Sequence, residues 1–181
     1  MIAIMSDWLS LVFSDAVRRS CERGDCLFHT GDNVLSVFLI LDGEIDLVRV
    51  TPSGNEIVLQ SAGRDAVLAE ASVYSETYHC DAIARCRSTV AQLETVAFKD
   101  RLASNRSWAE NWAASLSHSV QRARLNTEVR SLKKVSDRLD FWLAINSGLS
   151  PERRTKDIAA EIGVSPEALY RELSKRRLEG R

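Results

Sequence analysis

The spacing of apolar residues changes once along the chain, near residue 98, and this change limits the possible fold more than any other feature. Between about 25 and 98, short apolar runs alternate with turn sequences such as Thr30-Gly31-Asp32 and Asp42-Gly43. Short strands separated by glycine-containing turns are typical of an antiparallel sandwich or roll. A short helix over 5–13 is predicted to precede them. The predicted strands are Leu27–His29, Val37–Asp42, Glu44–Val50, Glu56–Ser61, Ala66–Glu70, His79–Ala84 and Val90–Val96.

Apolar and polar residues alternate in one of these runs, IDLVRV. The alternation places Ile45, Leu47 and Val50 toward a core and Asp46 and Arg49 toward solvent, with a break near the turn. Such a pattern indicates a strand that is buried on one side only.

Beyond about residue 99 the apolar residues recur at helical spacing. Within 105–127, steps of three and four residues form a seam of the kind that faces a partner helix. Trp108 and Trp112 fall on a neighbouring stripe, which is predicted to pack back on the β half. Two stripes favour a dimer, because a single roll covers only one of them; the alternative is one helix lying across its own domain. The predicted dimer seam consists of Ala113, Leu116, Val120, Ala123 and Thr127.

A further amphipathic helix is predicted over 131–146. Its apolar residues recur on one side, and Gly148 and Pro151 are expected to end it. The inward residues are Val135, Leu139, Trp142 and Leu143.

The segment TKDIAAEIGVSPEALYRELSKRRL, residues 155–178, gives the strongest functional indication. Ala159 allows two helices to cross closely, and Gly163, four positions later, accepts a turn conformation that is costly for other residues. Ser165 is placed as the N-cap of the second helix and Pro166 as its first residue. This spacing predicts a helix-turn-helix, whereas a plain helical hairpin shares only the amphipathic pattern. The inward apolar residues are Ile158, Ile162, Leu169 and Leu173.

A helix-turn-helix places the N-terminal side chains of its second helix against base edges in the major groove of DNA. Arg171 suits a bidentate contact with guanine, and Glu167 suits either a cytosine amine or the orientation of Arg171. Ser165, through its hydroxyl and the helix N-terminus, suits a phosphate. Further phosphate contacts, or merely a solvated surface, are expected of Lys156, Lys175, Arg176 and Arg177.

Charge is distributed unevenly along the 181 residues, although the formal net charge is only −1. Residues 1–120 contain 10 basic and 16 acidic side chains, and residues 121–181 contain 14 basic and 9 acidic ones. An acidic front and a basic rear indicate a sensing part followed by a part that meets a polyanion. No apolar run approaches the roughly 20 residues of a membrane span, and the N-terminus lacks the basic start of a secretory signal. A cytoplasmic location is therefore expected.

Over roughly 20–178, the chain resembles the Crp/Fnr family of dimeric bacterial transcription regulators. The resemblance rests on the β segment LFHTGD…VFLILDGEIDLVRVTPSGNEIVLQ, a Glu-containing turn, the long helix and the C-terminal helix-turn-helix. It implies an α+β fold, in which an antiparallel β-roll (a double-stranded β-helix of the cyclic-nucleotide-binding type) precedes a dimerisation helix and a small helical domain. In the family, a Glu and an Arg four residues apart on the recognition helix commonly read bases, and Glu167 and Arg171 match that pair.

The resemblance also implies a division into three parts and a set of partners. The parts are an N-terminal helix and β-roll effector domain over 1–98, a dimerisation helix over 99–128 and a DNA-binding domain over 129–181. The partners are a second copy of the chain, a palindromic double-stranded DNA operator and RNA polymerase. Family members usually carry a two-stranded wing after the recognition helix, and we expect the wing to be short or absent here, or the sequence to stop before it.

The sequence departs from the family where cyclic nucleotides bind. Binders carry Gly-Glu followed by Arg-Ser or Arg-Thr, whereas here Ala69 precedes Glu70 and His79-Cys80 replaces the second pair. Burying a cyclic phosphate without a guanidinium is costly unless another donor is present, and a neutral histidine is a poor substitute. Cyclic AMP is therefore not expected as the effector, and a different effector, or none, remains open. The predicted effector pocket consists of Glu70, Ser72, His79 and Cys80.

The cysteines and histidines do not form a metal-binding or catalytic pattern. Cys21, Cys26, Cys80 and Cys86 lack the C-x2-C spacing of zinc or redox sites and are expected to be reduced. Neighbouring residues on a strand point to opposite faces, so His79 and Cys80 are not expected to share a metal. Neither a metal nor enzyme activity is expected. The alternative to a DNA-binding regulator is a dimeric ligand-, redox- or metal-sensing protein whose degenerate helix-turn-helix acts through protein partners.

Overall fold

The computed structural model describes residues 3–54, 56–146 and 155–179. The chain forms two compact units, residues 1–114 and residues 115–181. The boundary between them lies within a long helix, α3 (Arg106–Ser131).

The first unit is built on two four-stranded antiparallel sheets. Its strands are β1 (Val17–Cys21), β2 (Cys26–Phe28), β3 (Ser36–Asp42), β4 (Ile45–Val50), β5 (Glu56–Ala62), β6 (Val67–Leu68), β7 (Asp81–Ala84) and β8 (Ser88–Glu94). One sheet has the order β1-β8-β3-β6 and the other the order β2-β7-β4-β5, so the chain passes repeatedly from one sheet to the other. This pairing forms the predicted β-roll. Helix α1 (Ala3–Val12) precedes it and α2 (Thr95–Ser104) follows it.

Strand β4 shows how the roll core is formed and where the predicted alternation is wrong. Ile45 and Leu47 are buried in the core, as predicted. Burial does not alternate along β4, because Asp46 and Val48 are buried on the other side, and exposure begins only at its last two residues, where Val50 is 56% exposed. Asp46, predicted to face solvent, is buried, and its charge is paired with that of Arg85.

The predicted helix that begins near residue 99 is in fact two helices. Asn105 separates α2 from α3 with an extended backbone, and its side-chain oxygen accepts a hydrogen bond from the Trp108 N–H (3.2 Å). A short side chain that caps the next helix in this way favours a break over a continuous helix. Trp112 is buried and packs edge-on against Phe98 of α2, with ring centroids 5.0 Å apart. Trp112 is therefore buried as predicted, but against helix α2, whereas Trp108 is only half-buried.

The second unit contains the end of α3 and three further helices, α4 (Val135–Ile145), α5 (Thr155–Ile162) and α6 (Pro166–Leu178). Leu139 and Trp142 of α4 are buried, as predicted, and Leu143 packs at the margin of the core. Gly148 and Pro151, predicted to end this helix, lie outside the described residues. The buried core of the unit is Val129, Leu139, Trp142, Ile158, Ala159, Ile162 and Leu169.

Candidate nucleic-acid interface and effector pocket

Helices α5 and α6 are joined by the tight turn that the sequence predicted. Ala159 is fully buried in the core of the second unit, where a larger side chain would separate the helices. Gly163 has φ +68°, in the left-handed region that L side chains rarely adopt. The Val164 N–H donates to the Ala159 carbonyl (2.9 Å) and the Gly163 N–H to the Ala160 carbonyl (3.2 Å). These two bonds form the Schellman motif that ends a helix at a glycine.

The start of α6 is fixed by its own N-cap. The Ser165 hydroxyl oxygen accepts a hydrogen bond from the Ala168 N–H (3.2 Å), and Pro166 is the first helical residue, so both predicted positions are confirmed. Leu169 is fully buried on the inner side of the helix. The outer side of the N-terminal half of α6 is therefore presented in one fixed orientation relative to α5.

Glu167 and Arg171 lie on this outer side, and both side chains are exposed. Hydrogen bonds from its own backbone N–H and from the Ser165 hydroxyl hold the pKa of Glu167 below its ordinary value, and the charge of Arg171 acts in the same direction. Glu167 is therefore ionised at neutral pH, and a carboxylate and a guanidinium stand one helical turn apart. Such a pair offers one acceptor and one planar bidentate donor to a base edge.

The other basic residues named from the sequence have different environments. Lys156, at the start of α5, and Lys175 and Arg177, near the end of α6, are exposed, and Lys175 lies 3.8 Å from Glu179. These three positions are accessible to a phosphate.

Arg176 differs from its neighbours because its guanidinium is already engaged within the second unit. Its Nε donates to Glu172 (2.8 Å), its Nη1 to Asp140 (2.6 Å) and its Nη2 to the Ser136 carbonyl (3.1 Å). Only 17% of the side chain is exposed. These contacts fasten α6 to α4, so Arg176 has a packing role that the sequence did not indicate.

Polar contacts from Arg138 and Trp142 that support the end of α5 and the turn after it were not predicted. Arg138 of α4 donates from Nη1 to the Gly163 carbonyl (2.8 Å) and from Nε to the Leu132 carbonyl (2.7 Å). The indole N–H of Trp142 donates to a carboxylate oxygen of Glu161 (2.7 Å). Because these partners are 19 to 25 residues apart, or lie in a turn, no local spacing in the sequence indicated them.

The predicted dimer seam on α3 is largely uncovered in the single chain. Val120 is 49% exposed, and Leu116 is half-buried. Ala113, Ala123 and Thr127 are exposed, and the Thr127 hydroxyl donates to the Ala123 carbonyl (2.9 Å). The helix therefore carries a stripe of small and apolar side chains whose one hydroxyl is turned onto its own backbone.

The four residues of the predicted effector pocket lie together in the first unit. Ser72 Oγ and His79 Nδ1 share a hydrogen bond of 2.9 Å, and Ser72 is buried. Burial raises the pKa of the Cys80 thiol to about 11, with a further contribution from the negative charge of Glu70. His79 and Cys80 precede β7 and do not lie on a strand as predicted, yet His79 is exposed and Cys80 is buried in the core.

A fifth residue of this cluster, Arg49 of β4, was not predicted to belong to it. Its Nε and Nη2 donate to the backbone carbonyl of His79 at 3.2 and 2.7 Å. Burial, and then the charge of Arg49, lower the pKa of His79. Arg49 is exposed, as the sequence pattern predicted, but its guanidinium reaches the backbone of His79 beside the predicted pocket. The cluster therefore contains a guanidinium, but it comes from strand β4 and not from the position of His79, where the family carries its arginine.

Ala69, immediately before Glu70, has φ +69° and is buried. This left-handed conformation costs an L residue about 1–2 kcal/mol, which is why glycine suits the position. The departure from Gly-Glu noted in the sequence therefore falls on a strained residue at the edge of the predicted pocket.

Within the described residues, no three His, Cys, Asp or Glu side chains are grouped so as to hold a metal ion. Cys21, Cys26, Cys80 and Cys86 are free thiols. In the same part of the chain, no helix combines the length and apolar character required to cross a membrane.

Comparison with known proteins identifies the first unit. Residues 18–105 match the family model of the cyclic nucleotide-binding domain. A cyclic AMP receptor protein from Thermus thermophilus is 27% identical over 179 residues, which cover 95% of this chain and 82% of that protein.

Solved structures extend the similarity across both units. The FixK2 protein of Bradyrhizobium japonicum has a TM-score of 0.72 at 15% identity, covering 91% of this chain and 86% of that one. CLP, a c-di-GMP-responsive global regulator of Xanthomonas campestris, has a TM-score of 0.68 at 17% identity, covering 95% of this chain and 91% of that one. At these identities the two structures establish the fold.

These structures share with this chain a fold in which a β-roll of the cyclic-nucleotide-binding type is followed by helices. CLP, one of the proteins with this organisation, is a global regulator. Over nearly all of its length, the chain is similar to transcription regulators of the Crp/Fnr family.

Proposed function

We propose that this protein is a homodimeric, sequence-specific DNA-binding transcription regulator whose helix α6 enters the major groove. The observation that carries the proposal is the exposed pair Glu167 and Arg171 on α6, a helix held from behind by Leu169 and Arg176. Base readout requires such a rigid support, because side chains must reach base edges with little loss of freedom on binding.

In this proposal each polar residue around α6 has a separate role. Arg171 donates two hydrogen bonds to the O6 and N7 of guanine, and Glu167 accepts from a cytosine amine or aligns Arg171. The start of α6 at Ser165 lies beside a backbone phosphate. Lys156 and Lys175 contact neighbouring phosphates and supply affinity that falls as salt rises.

Dimerisation is proposed to occur along the seam of α3. A stripe with Leu116 half-buried and Val120 half-exposed leaves apolar surface in water, which a second copy of the same helix would cover. Two paired chains then present two α6 helices to the two halves of a palindromic operator. In functional terms, we assign residues 1–98 to the effector domain, 99–128 to the dimerisation helix and 129–181 to the DNA-binding domain.

The effector is proposed to be something other than cyclic AMP. The ring of His79, at the position of the family arginine, is already bonded to Ser72, and its pKa is lowered, so it is neutral at pH 7. Arg49 directs two of its N–H groups to a backbone carbonyl. Neither group is placed to meet a cyclic phosphate without first breaking these bonds.

The decisive experiment is selection of binding sites from a randomised duplex library, followed by gel retardation of the selected site. Wild type is expected to enrich a palindrome, and Arg171→Ala is expected to weaken binding to it by about 1–3 kcal/mol with little change toward random duplex. Arg177→Ala, an exposed arginine on the same helix, is the matched control and should weaken both targets equally. Failure of wild type to enrich any sequence would overturn the proposal and favour a regulator that acts through protein partners.

A further inference from the structure

Arg130, in the last turn of α3, reaches the end of α5. Its Nη2 donates to the Ala160 carbonyl (2.7 Å), and its Nε lies 3.3 Å from the Glu161 carbonyl, to which it also donates. Carbonyls in the last turn of a helix lack a full set of partners along the helix, and a positive charge is favourable at that end. The guanidinium therefore caps α5 from a different helix.

The aliphatic part of the same side chain packs on the turn glycine. A Cβ at Gly163 would lie 2.8 Å from Cγ, 3.1 Å from Cδ and 3.2 Å from Nε of Arg130. Cγ is near the fixed end of the side chain, so it can move away only if Arg130 gives up its bonds to α5. Gly163 is thus required for two reasons: its positive φ and the passage of Arg130 across it.

Arg138 holds the same turn from α4. Its guanidinium joins the Gly163 carbonyl (2.8 Å) to the Leu132 carbonyl (2.7 Å), which lies in the turn between α3 and α4. The end of α3 and the turn before α6 are therefore linked twice, directly through Arg130 and by way of Arg138.

We infer that Arg130 is a positioning residue that fixes the α5–α6 turn, and with it the N-terminal end of α6, to the last turn of α3. This inference rests on the proposed function, in which α3 pairs two chains and α6 reads DNA. Under that function, Arg130 sets the separation of the two recognition helices in the dimer. It therefore determines which spacing of operator half-sites is accepted, although it does not itself contact a base.

The first test measures, without DNA, the packing of Arg130 across Gly163, which we call the interlock. Urea unfolding of the full chain is compared for wild type, Gly163→Ala, Arg130→Ala and the double variant. If Cβ at position 163 displaces Arg130, Gly163→Ala should lower the urea midpoint about twice as much in wild type as in the Arg130→Ala background, where only the φ strain remains. Equal shifts in the two backgrounds would overturn the interlock.

The second test measures spacing with the selected operator and with versions one base pair longer and shorter, each a displacement of about 3.4 Å. Wild type should bind the parent spacing best. Arg130→Ala should reduce the preference for the parent spacing about fivefold or more, while binding to random duplex stays the same. Arg130→Lys, which keeps the aliphatic stem and one donor group, should restore part of the preference.

Arg124→Ala removes an exposed arginine from the same helix and serves as the control for lost charge. A merely structural role for Arg130 would lower stability and weaken all three operators together, and this result would overturn the inference. Because Arg130→Ala is measured by itself in the spacing test, the inference remains testable even if Gly163→Ala does not fold. Failure of wild type to prefer any palindrome would overturn the proposed function. The urea unfolding of the four variants tests the interlock independently of that result.

Discussion

Replacing Arg176 by alanine is expected to destabilise the second unit, although the sequence alone groups this residue with its exposed neighbours. In the structure, its side chain and that of Glu172 are only 17% and 16% exposed, and they meet at 2.8 Å. Asp140, the other carboxylate, is 65% exposed at the side chain and meets Arg176 at 2.6 Å. The three contacts of the guanidinium therefore differ in how far water competes with them.

The size of the effect follows from these exposures. A hydrogen bond to a charged group in a sheltered site contributes about 1.5–3 kcal/mol, which applies to Glu172. The exposed Asp140 contributes about 0–1 kcal/mol, as surface ion pairs do. Truncation also leaves the Glu172 carboxylate half-buried without its partner. We therefore expect Arg176→Ala to lower the free energy of unfolding by about 2–4 kcal/mol.

The assay is urea unfolding of the full chain monitored by the fluorescence of Trp142, with the other tryptophans replaced by phenylalanine in all variants. Arg177→Ala is the matched control, since this neighbouring side chain is exposed and should change stability by less than about 0.5 kcal/mol. If Arg176→Ala unfolds like Arg177→Ala, the assignment of Arg176 to packing is wrong, and a role at the DNA phosphates becomes the better explanation.

Three further results are expected. Cyclic AMP should not raise the thermal midpoint of the purified protein, and a rise that disappears in Glu70→Ala would contradict our interpretation of the pocket. Val120→Glu should convert the dimer to a monomer in sedimentation, whereas His118→Glu, away from the seam, should not; a Val120→Glu dimer would exclude the seam. Since burial raises the pKa of Cys80 to about 11, the folded state keeps this thiol proton longer than the unfolded state. The contribution of the protonated Cys80 thiol to the free energy of unfolding should be complete below pH 9 and should fall toward pH 11. Labelling of the native protein with a thiol reagent should modify the exposed Cys86 first, and equally fast labelling of Cys80 would contradict its burial.

The helix-turn-helix could be predicted because its determinants are local. Ala159, Gly163 and Ser165 each act through the backbone within a few residues, by close approach, positive φ and capping. Effects of this range are visible in the spacing of residues along the sequence. The division of the chain into a β half and a helical half was predictable for the same reason, since the period of apolar residues differs between strands and helices.

Features that depend on distant partners were not predictable. Strand β1 has four exposed residues and only Cys21 buried, so it carries no apolar alternation, and it exists because it pairs with β8. In the sequence, the neighbouring Lys175, Arg176 and Arg177 are three equivalent positive charges. Only the position of α4 shows that Arg176 is the one bound to a carboxylate of that helix, Asp140. Arg49 was correctly predicted to be exposed, but its hydrogen bonds with the His79 carbonyl join residues 30 positions apart, and no local pattern indicated them.

The central claim is that α6 recognises a specific DNA sequence. The most direct measurement is the dissociation constant of wild-type protein for its selected palindrome and for random duplex of equal length, over a range of salt concentrations. We expect the palindrome to bind roughly a thousandfold or more tightly at physiological salt, and both affinities to fall linearly on a log–log plot. Equal affinities for the two duplexes at every salt concentration would contradict the claim.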